Sequence, residues 1–308
     1  MPKIKILFVL FLLTFASYKL DAKIYIKYKI GDQIITNFDI ENEINNLIFF
    51  RPSLEKLSKD ELNKIAKNTL IREIIKNTEI KKAFTNINSI DLEKKVKQRL
   101  FAYKKVKNED ELIQILKKDN INYKEVVEKV KYETLWNELI FQKFNKSVKI
   151  DKDYLSKQLK VKIYKNRKFE YNLSEILFEV DNNENVIKKN EEILKSIKKY
   201  GFKASASKYS ISNSASVGGN IGWVKETVLS NKIVNKLDKL NIDGITKPIK
   251  YPNGFLILMI NDKKEIKKEI NFDEELNEFI KFEKNKQLNQ FSQLYYKRLK
   301  QNTIINAN

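Results

Sequence analysis

Residues 243–262 read Asp243-Gly-Ile-Thr-Lys-Pro-Ile-Lys-Tyr-Pro-Asn-Gly-Phe-Leu-Ile-Leu-Met-Ile-Asn-Asp262. Two apolar, β-rich runs flank Pro252-Asn253-Gly254, a spacing that predicts two strands joined by a turn. Upstream, Tyr171-Asn-Leu-Ser-Glu-Ile-Leu-Phe-Glu-Val180 is a further β-rich run, and Gly218-Gly-Asn-Ile-Gly-Trp223 enters another. Between these runs lie helical patterns at 184–200, 204–209 and 231–240, and a small, polar loop at 210–218. Six of the seven glycines and two of the four prolines fall within 171–262. Sharp turns are therefore concentrated in one stretch, which predicts a small α+β module.

Helical periodicity surrounds that stretch. Ahead of it, apolar residues recur with a helical repeat at 60–84, 91–103, 110–118 and 123–144, with no glycine or proline in any of these runs. Such stripes are by default contacts between helices. The run Ile24-Tyr-Ile-Lys-Tyr-Lys-Ile-Gly-Asp-Gln-Ile-Ile-Thr36 alternates around Gly31-Asp32 and predicts two short strands. Thr36 and Asp39 form a capping-box pair at the start of the next helix. A short helix through Leu155 and Leu159 precedes a basic connector, 160–168, expected to be a solvated linker or strand edge. Behind the module, a helix is predicted over 272–299. Residues 303–305 are expected to form a strand that pairs back on the N-terminal one.

Composition limits the chemistry. The 308-residue chain has no cysteine and no histidine. That excludes disulfides, thiolate nucleophiles, serine triads built on an imidazole, and most zinc sites. No cofactor or metal is expected, and any catalysis must make light demands on proton transfer. The formal net charge of +20 raises nucleic acid or anionic lipid as partners. Only five of the 60 basic residues are arginines, however, and lysine is spread along the whole chain. Arginine is the bidentate reader of phosphates and base edges, so its scarcity argues against nucleic acid. A basic protein docking on an anionic surface stays open as the alternative of another class.

The N-terminus resembles an export signal. Lys3 and Lys5 precede an apolar run of eleven residues at 6–16, too short to span a bilayer comfortably and suited to a signal peptide over 1–22. That places the body of the protein outside the cytoplasm, in the periplasm of a bacterium with an outer membrane, without stable membrane insertion.

The order strand, helix, helix, serine-rich loop, Gly-Gly-x-Ile-Gly-Trp, helix, Gly-x-x-x-Pro-Ile, Gly-Phe-x-Ile-x-x-x-x-Asp resembles the parvulin family of peptidyl-prolyl isomerases over residues 171–262. Gly31-Asp-Gln-Ile-Ile-Thr-Asn-Phe-Asp-Ile40 is similar to the opening of the SurA-type periplasmic chaperones. The resemblance implies a helical chaperone domain at 23–168, a single parvulin-like domain with a four-stranded antiparallel sheet at 169–263, and a C-terminal helix at 264–308 packing on the N-terminal domain. It also implies a folding factor for unfolded envelope proteins, X-Pro and aromatic-rich segments, and outer-membrane protein precursors; the alternative is a holdase with a catalytically weak isomerase domain.

Carried over residue by residue, the resemblance puts Glu175 and Leu256 at the two positions where the family has histidine. Ser212 falls near the loop position commonly occupied by cysteine or aspartate. Leu229 and Ile233 fall at the apolar floor positions, and Trp223 and Phe255 are expected to wall a proline pocket with them.

Overall fold

A computed structural model describes residues 24–164, 169–180, 185–266 and 271–307. The expected export signal at 1–22 lies outside the described residues, as do 165–168 of the basic connector.

Strands β1 (Ile26–Ile30) and β2 (Gln33–Thr36) turn at Gly31, where φ is +54°. Thr36 then caps α1 (Asn37–Phe50): its hydroxyl accepts from the Asp39 amide, while the Asp39 carboxylate accepts from the Thr36 amide at 2.8 Å. Helix α2 (Lys59–Ala83) starts with the same reciprocal box, Ser58 with Glu61. Helices α3 (Ile90–Lys104), α4 (Glu109–Lys118) and α5 (Tyr123–Phe144) complete the frame, each opened by a serine or asparagine cap. Their apolar stripes interlock: Val96, Leu100, Leu112, Leu116 and Val126 form one cluster, and Ile80, Leu135, Trp136, Leu139 and Ile140 another.

Helix α6 (Lys152–Tyr164) runs further than the sequence suggested, through half of the expected connector. Lys162 explains the difference. It is buried, its ammonium donates to the Thr227 and Leu229 carbonyls at 2.7 and 2.9 Å, and it lies 4.2 Å from the centre of the Phe279 ring. A lysine expected to be solvated instead caps backbone carbonyls, which keeps the helix wound to Tyr164.

The module is a four-stranded antiparallel sheet in the order β4 (Asn220–Lys225), β3 (Phe169–Phe178), β6 (Gly254–Glu265), β5 (Ile249–Tyr251). Tyr251 pairs with Gly254 across the Pro-Asn turn. Helices α7 (Val186–Tyr200) and α8 (Phe202–Tyr209) cover one face through Ile193, Phe202 and Ala206, packed on Ile176, Phe178 and Ile257. The other face carries Tyr171, Leu173, Leu177, Leu256, Leu258 and Ile260. Alternation along a strand sends successive side chains to opposite faces, so both faces of β3 and β6 are buried. The second face is covered by Leu155 and Leu159 of α6, by Val234 and Leu237 of α9 (Asn231–Leu237), and by Phe279. Helix α9 is shorter than expected, and the loop 210–218 contains a 3-10 turn over Asn213–Val217.

Phe279 belongs to α10 (Phe272–Gln301), which runs past both parts of the molecule. At its distal end, Tyr295 stacks on Trp136 at 5.8 Å, and the Trp136 indole N–H donates to Ser292 at 2.9 Å. At its proximal end Glu275 accepts from Thr227 at 2.8 Å and pairs with Lys225 at 2.6 Å. The chain closes with β7 (Ile305–Ala307) pairing antiparallel to β1. No helix among the described residues is long and apolar enough to cross a membrane.

Candidate functional site

A groove of about 490 Å³ lies along the β4 side of the module. Glu175 is supplied to it by β3, Ser212 by the loop after α8, Trp223 by β4 and Tyr251 by β5. The loop is held by its own backbone: Ile211 donates to the Leu177 carbonyl at 2.7 Å, and the Leu177 amide donates to the Ser210 hydroxyl at 3.1 Å. Two hydroxyls then converge on one carboxylate oxygen. Ser212 donates to Glu175 Oε1 at 2.5 Å and Ser214 to the same atom at 2.8 Å.

Close approach at Gly219 makes this convergence possible. The Glu175 amide donates to the Gly219 carbonyl at 2.7 Å, and Gly219 has φ of +81°. A Cβ there would sit 2.4 Å from the Glu175 carbonyl oxygen and 2.9 Å from Ala206 Cβ.

The remaining charges around the groove are neutralised in pairs. Glu170 is on Lys264 at 2.9 Å, Glu278 on Lys225 at 2.7 Å, and Lys286 on Glu283 at 2.7 Å. Glu175 has no cation within ion-pair distance among the described residues. In a chain with this excess of lysine, an uncompensated carboxylate lining a groove leaves a local negative spot facing whatever enters. The same carboxylate, together with burial as the larger effect, pushes the Tyr251 phenol up to about 12. Tyr251 therefore stays an O–H donor throughout the neutral range.

Among the family-position residues, the structure brings Glu175, Ser212 and Trp223 together. Leu229 is buried and Ile233 half-buried in the core cluster beneath the sheet, outside the groove lining. Leu256 is buried in the same cluster, opposite Leu177 in register and outside the groove lining. Phe255 points to the other face, against Phe178 at 5.9 Å. Apolar lining comes instead from Leu177, Val224, Val228 and Phe282.

Sequence reasoning missed Ser214, Tyr251 and the whole far wall. Ser214 had a signal in the serine-rich loop, and Tyr251 in its place just before the hairpin turn. The far wall is α10: Glu278, Phe282, Lys286, Asn289 and Gln293 lie along one stripe of that helix and close the groove. Asn253 at the hairpin turn donates to Gln293 at 2.9 Å, and Asn213 donates to Asn289 at 3.4 Å. Among the described residues no grouping of acidic side chains is placed to hold a metal ion.

The module is an antiparallel sheet backed by helices, with a serine-rich loop, a Gly-Gly corner and a groove walled by Trp223 and Tyr251. Residues 174–262 match the family model of the rotamase, PPIC-type PPIASE domain. The chain is also similar to chaperone SurA of Pseudomonas putida, 38% identical over 55 residues, which is 18% of this chain and 13% of that protein. It thus spans about an eighth of the length of that curated relative.

Among solved structures it is similar to the SurA-like chaperones PEB4 and Cj1289 of Campylobacter jejuni, at 15% identity over 92% of this chain and 98% of the other, with a TM-score of 0.40. It is similar as well to the peptidylprolyl isomerase PrsA of Bacillus anthracis, at 22% identity over 76% of this chain and 94% of the other, with a TM-score of 0.30.

Proposed function

We propose that this chain is a periplasmic folding factor that binds unfolded polypeptide and accelerates cis–trans exchange of its X-Pro bonds. The observation that carries the reading is the convergence of Glu175, Ser212, Trp223 and Tyr251 on one groove of a PPIC-type domain. Unfolded envelope proteins, outer-membrane precursors among them, are the clients this assigns. The chain divides by function into an export signal at 1–22, a helical client-holding part at 23–168, the isomerase part at 169–263, and the C-terminal helix at 264–308.

The chemistry asked of the groove is modest. Rotation about a peptide bond faces a barrier of roughly 18–20 kcal/mol, and the uncatalysed prolyl reaction takes tens of seconds or more. In the twisted transition state the amide loses conjugation and its nitrogen gains a lone pair. A site that grips the ring and offers a donor to that nitrogen favours the twisted state over either planar isomer. Trp223, Leu177 and Val228 grip the ring, and Leu229 and Ile233 support the floor from below. The Tyr251 hydroxyl is the donor, and Glu175 fixes the serine loop and reads charge next to the proline. No covalent step is required, so the absence of histidine is compatible with turnover.

A holdase is the second reading, and a specific observation favours it: α10 already fills one wall of the groove. The test is the refolding of a denatured protein limited by a slow prolyl step. A faster slow phase at substoichiometric concentrations of this chain supports the isomerase. Suppressed aggregation with an unchanged slow phase supports the holdase alone.

A further inference from the structure

A second cavity, of about 520 Å³, opens between α2, α5 and the loop that carries Ser212. Its charges are not balanced. The four carboxylates that line it are each engaged by lysine or arginine: Glu61 by Lys208 at 2.6 Å, Glu73 by Lys129 at 2.8 Å, Glu133 by Arg99 at 3.3 Å, and Glu128 by Lys131.

Four lining cations have no carboxylate partner among the described residues, Lys64 and the trio Arg51, Arg72 and Lys76. Arg51 donates to the Ser207 hydroxyl at 2.7 Å and the Ala215 carbonyl at 3.1 Å, both neutral, and its buried Nε has no acceptor. Arg72 lies against the Tyr296 ring at 5.8 Å. Lys76 lies 4.7 Å from the centre of the Trp136 ring. None of the three has a carboxylate within ion-pair distance among the described residues. Burial, and then Arg72, push the Lys76 ammonium down to about 8.

Half-buried, uncompensated cations are costly to fold around, and their cost is offset when an anion enters. Arginine is rare in this chain, yet three of its five arginines, Arg51, Arg72 and Arg99, line this one cavity. They come from α1's C-terminal end, α2 and α3, elements distant in sequence. A planar guanidinium fork matches a carboxylate in two parallel hydrogen bonds.

The geometry points to this cavity as a binding site for the carboxylates of an acidic peptide segment, Asp or Glu side chains of a bound polypeptide, held chiefly by Arg72 and Lys76. The loop 210–216 lines both this cavity and the groove, so a polypeptide lying over it reaches both. The site stands on its own charge pattern, whether or not the groove isomerises prolyl bonds.

The test is calorimetric titration of the full chain with a proline-free peptide rich in Glu, and with the same peptide carrying Gln at every Glu. Tryptophan fluorescence in a Trp223→Phe background, where Trp136 is the sole tryptophan, serves as the local readout. The acidic peptide should bind at least about tenfold more tightly than its amide twin, and Arg72→Gln or Lys76→Gln should remove about that factor. Lys232→Gln, on the exposed surface of α9, should leave affinity unchanged. Circular dichroism and Tm for each variant separate a lost site from a lost fold, and Lys76→Met provides a variant that retains the apolar stem.

Equal affinity for the two peptides overturns the proposal. So does an unchanged affinity in folded Arg72→Gln and Lys76→Gln variants. Inorganic phosphate binding as tightly as the acidic peptide, and displacing it at equal concentration, would assign the cavity to small anions and overturn the peptide reading.

Discussion

Asn253, at the tip of the β5–β6 turn, donates its side-chain amide to Gln293 of α10 at 2.9 Å. This bond fastens the rim of the groove to a helix whose far end is stacked on Trp136 of the frame. The stripe that α10 lays over the groove is polar apart from Phe282, so it occupies the site without the tight apolar packing of a core helix. Replacing Phe282 and Gln293 by Ala should loosen that seat and raise the affinity for an X-Pro peptide about three- to tenfold, equivalent to one or two modest contacts. Titration calorimetry of the double variant measures this; unchanged or weaker affinity would mean that α10 forms part of the binding surface and does not obstruct it.

Glu175 holds two serine hydroxyls through one oxygen, and the two roles of its carboxylate separate by substitution. Glu175→Gln keeps an acceptor for the serines and removes the charge. Its expected effect is a loss of preference for Lys over Glu at the residue before proline. Glu175→Ala leaves both hydroxyls without their acceptor and should cost about 1–3 kcal/mol of stability. Denaturant unfolding of the two variants distinguishes them.

Leu256 stands at a family histidine position but packs in the core, opposite Leu177. Leu256→His would bury an imidazole in the apolar cluster, between Leu177 and Ile249 in register. The expected result is a loss of about 2–4 kcal/mol with no gain in isomerisation. A stable variant with faster turnover would show that the position faces the groove.

Gly219 combines a left-handed φ with a hypothetical Cβ only 2.4 Å from the Glu175 carbonyl oxygen. Backbone cannot give way there as a flexible side chain can. Gly219→Ala should lower Tm and selectively weaken the loop that carries Ser212 and Ser214, seen as faster hydrogen exchange at Ile211. Gly222, also at positive φ but with open space around its Cβ, should tolerate Ala better.

A half-buried ion cluster with Glu43 at its core gives the frame its pH dependence. Lys129 serves two carboxylates, Glu43 and Glu73. Burial first, then repulsion from Glu73, raise the Glu43 carboxyl from 4.5 to about 7, against the pull of Lys129. Between those values the folded state holds a proton that the unfolded state has released. The stability associated with this group is therefore fully present below about pH 4.5 and declines as pH rises through 7. Glu43→Gln should flatten that part of the stability–pH curve, while Lys129→Met, which strands the half-exposed Glu73 and the buried Glu43, should cost about 1–3 kcal/mol at pH 7. Chemical denaturation at pH 5 and pH 7 checks both.

Local rules carried much of the fold. The Pro252-Asn253-Gly254 turn, the Thr36–Asp39 box and the glycine-free helical runs each depend on neighbours a few residues away, and each forms as the sequence implies. The pairing of a terminal strand with β1 was also legible, since a short terminal β run needs an edge and β1 offers one, although it forms two residues later than 303–305. What stayed hidden rests on contacts across long sequence separations. Lys162 reads as solvated because its carbonyl acceptors lie 65 and 67 positions away. The α10 stripe reads as an ordinary solvated face because nothing local shows that Asn289 and Gln293 meet the module. In the site, Glu175 and Ser212 were picked out by resemblance, while Tyr251 is visible only when β5 is placed beside α10. The three arginines of the second cavity share no local pattern at all.

The central claim is that the groove accelerates prolyl rotation without histidine. Two-dimensional exchange NMR on a short Ala-Lys-Pro-Phe peptide, with catalytic amounts of the full chain, tests it most directly. Cis–trans exchange should be accelerated well above the uncatalysed rate, reduced by Tyr251→Phe, and biased toward Lys over Glu before proline in a manner that Glu175→Gln abolishes. Exchange at the uncatalysed rate, with the peptide bound at saturation and α10 loosened by the Phe282 and Gln293 substitutions, would contradict it.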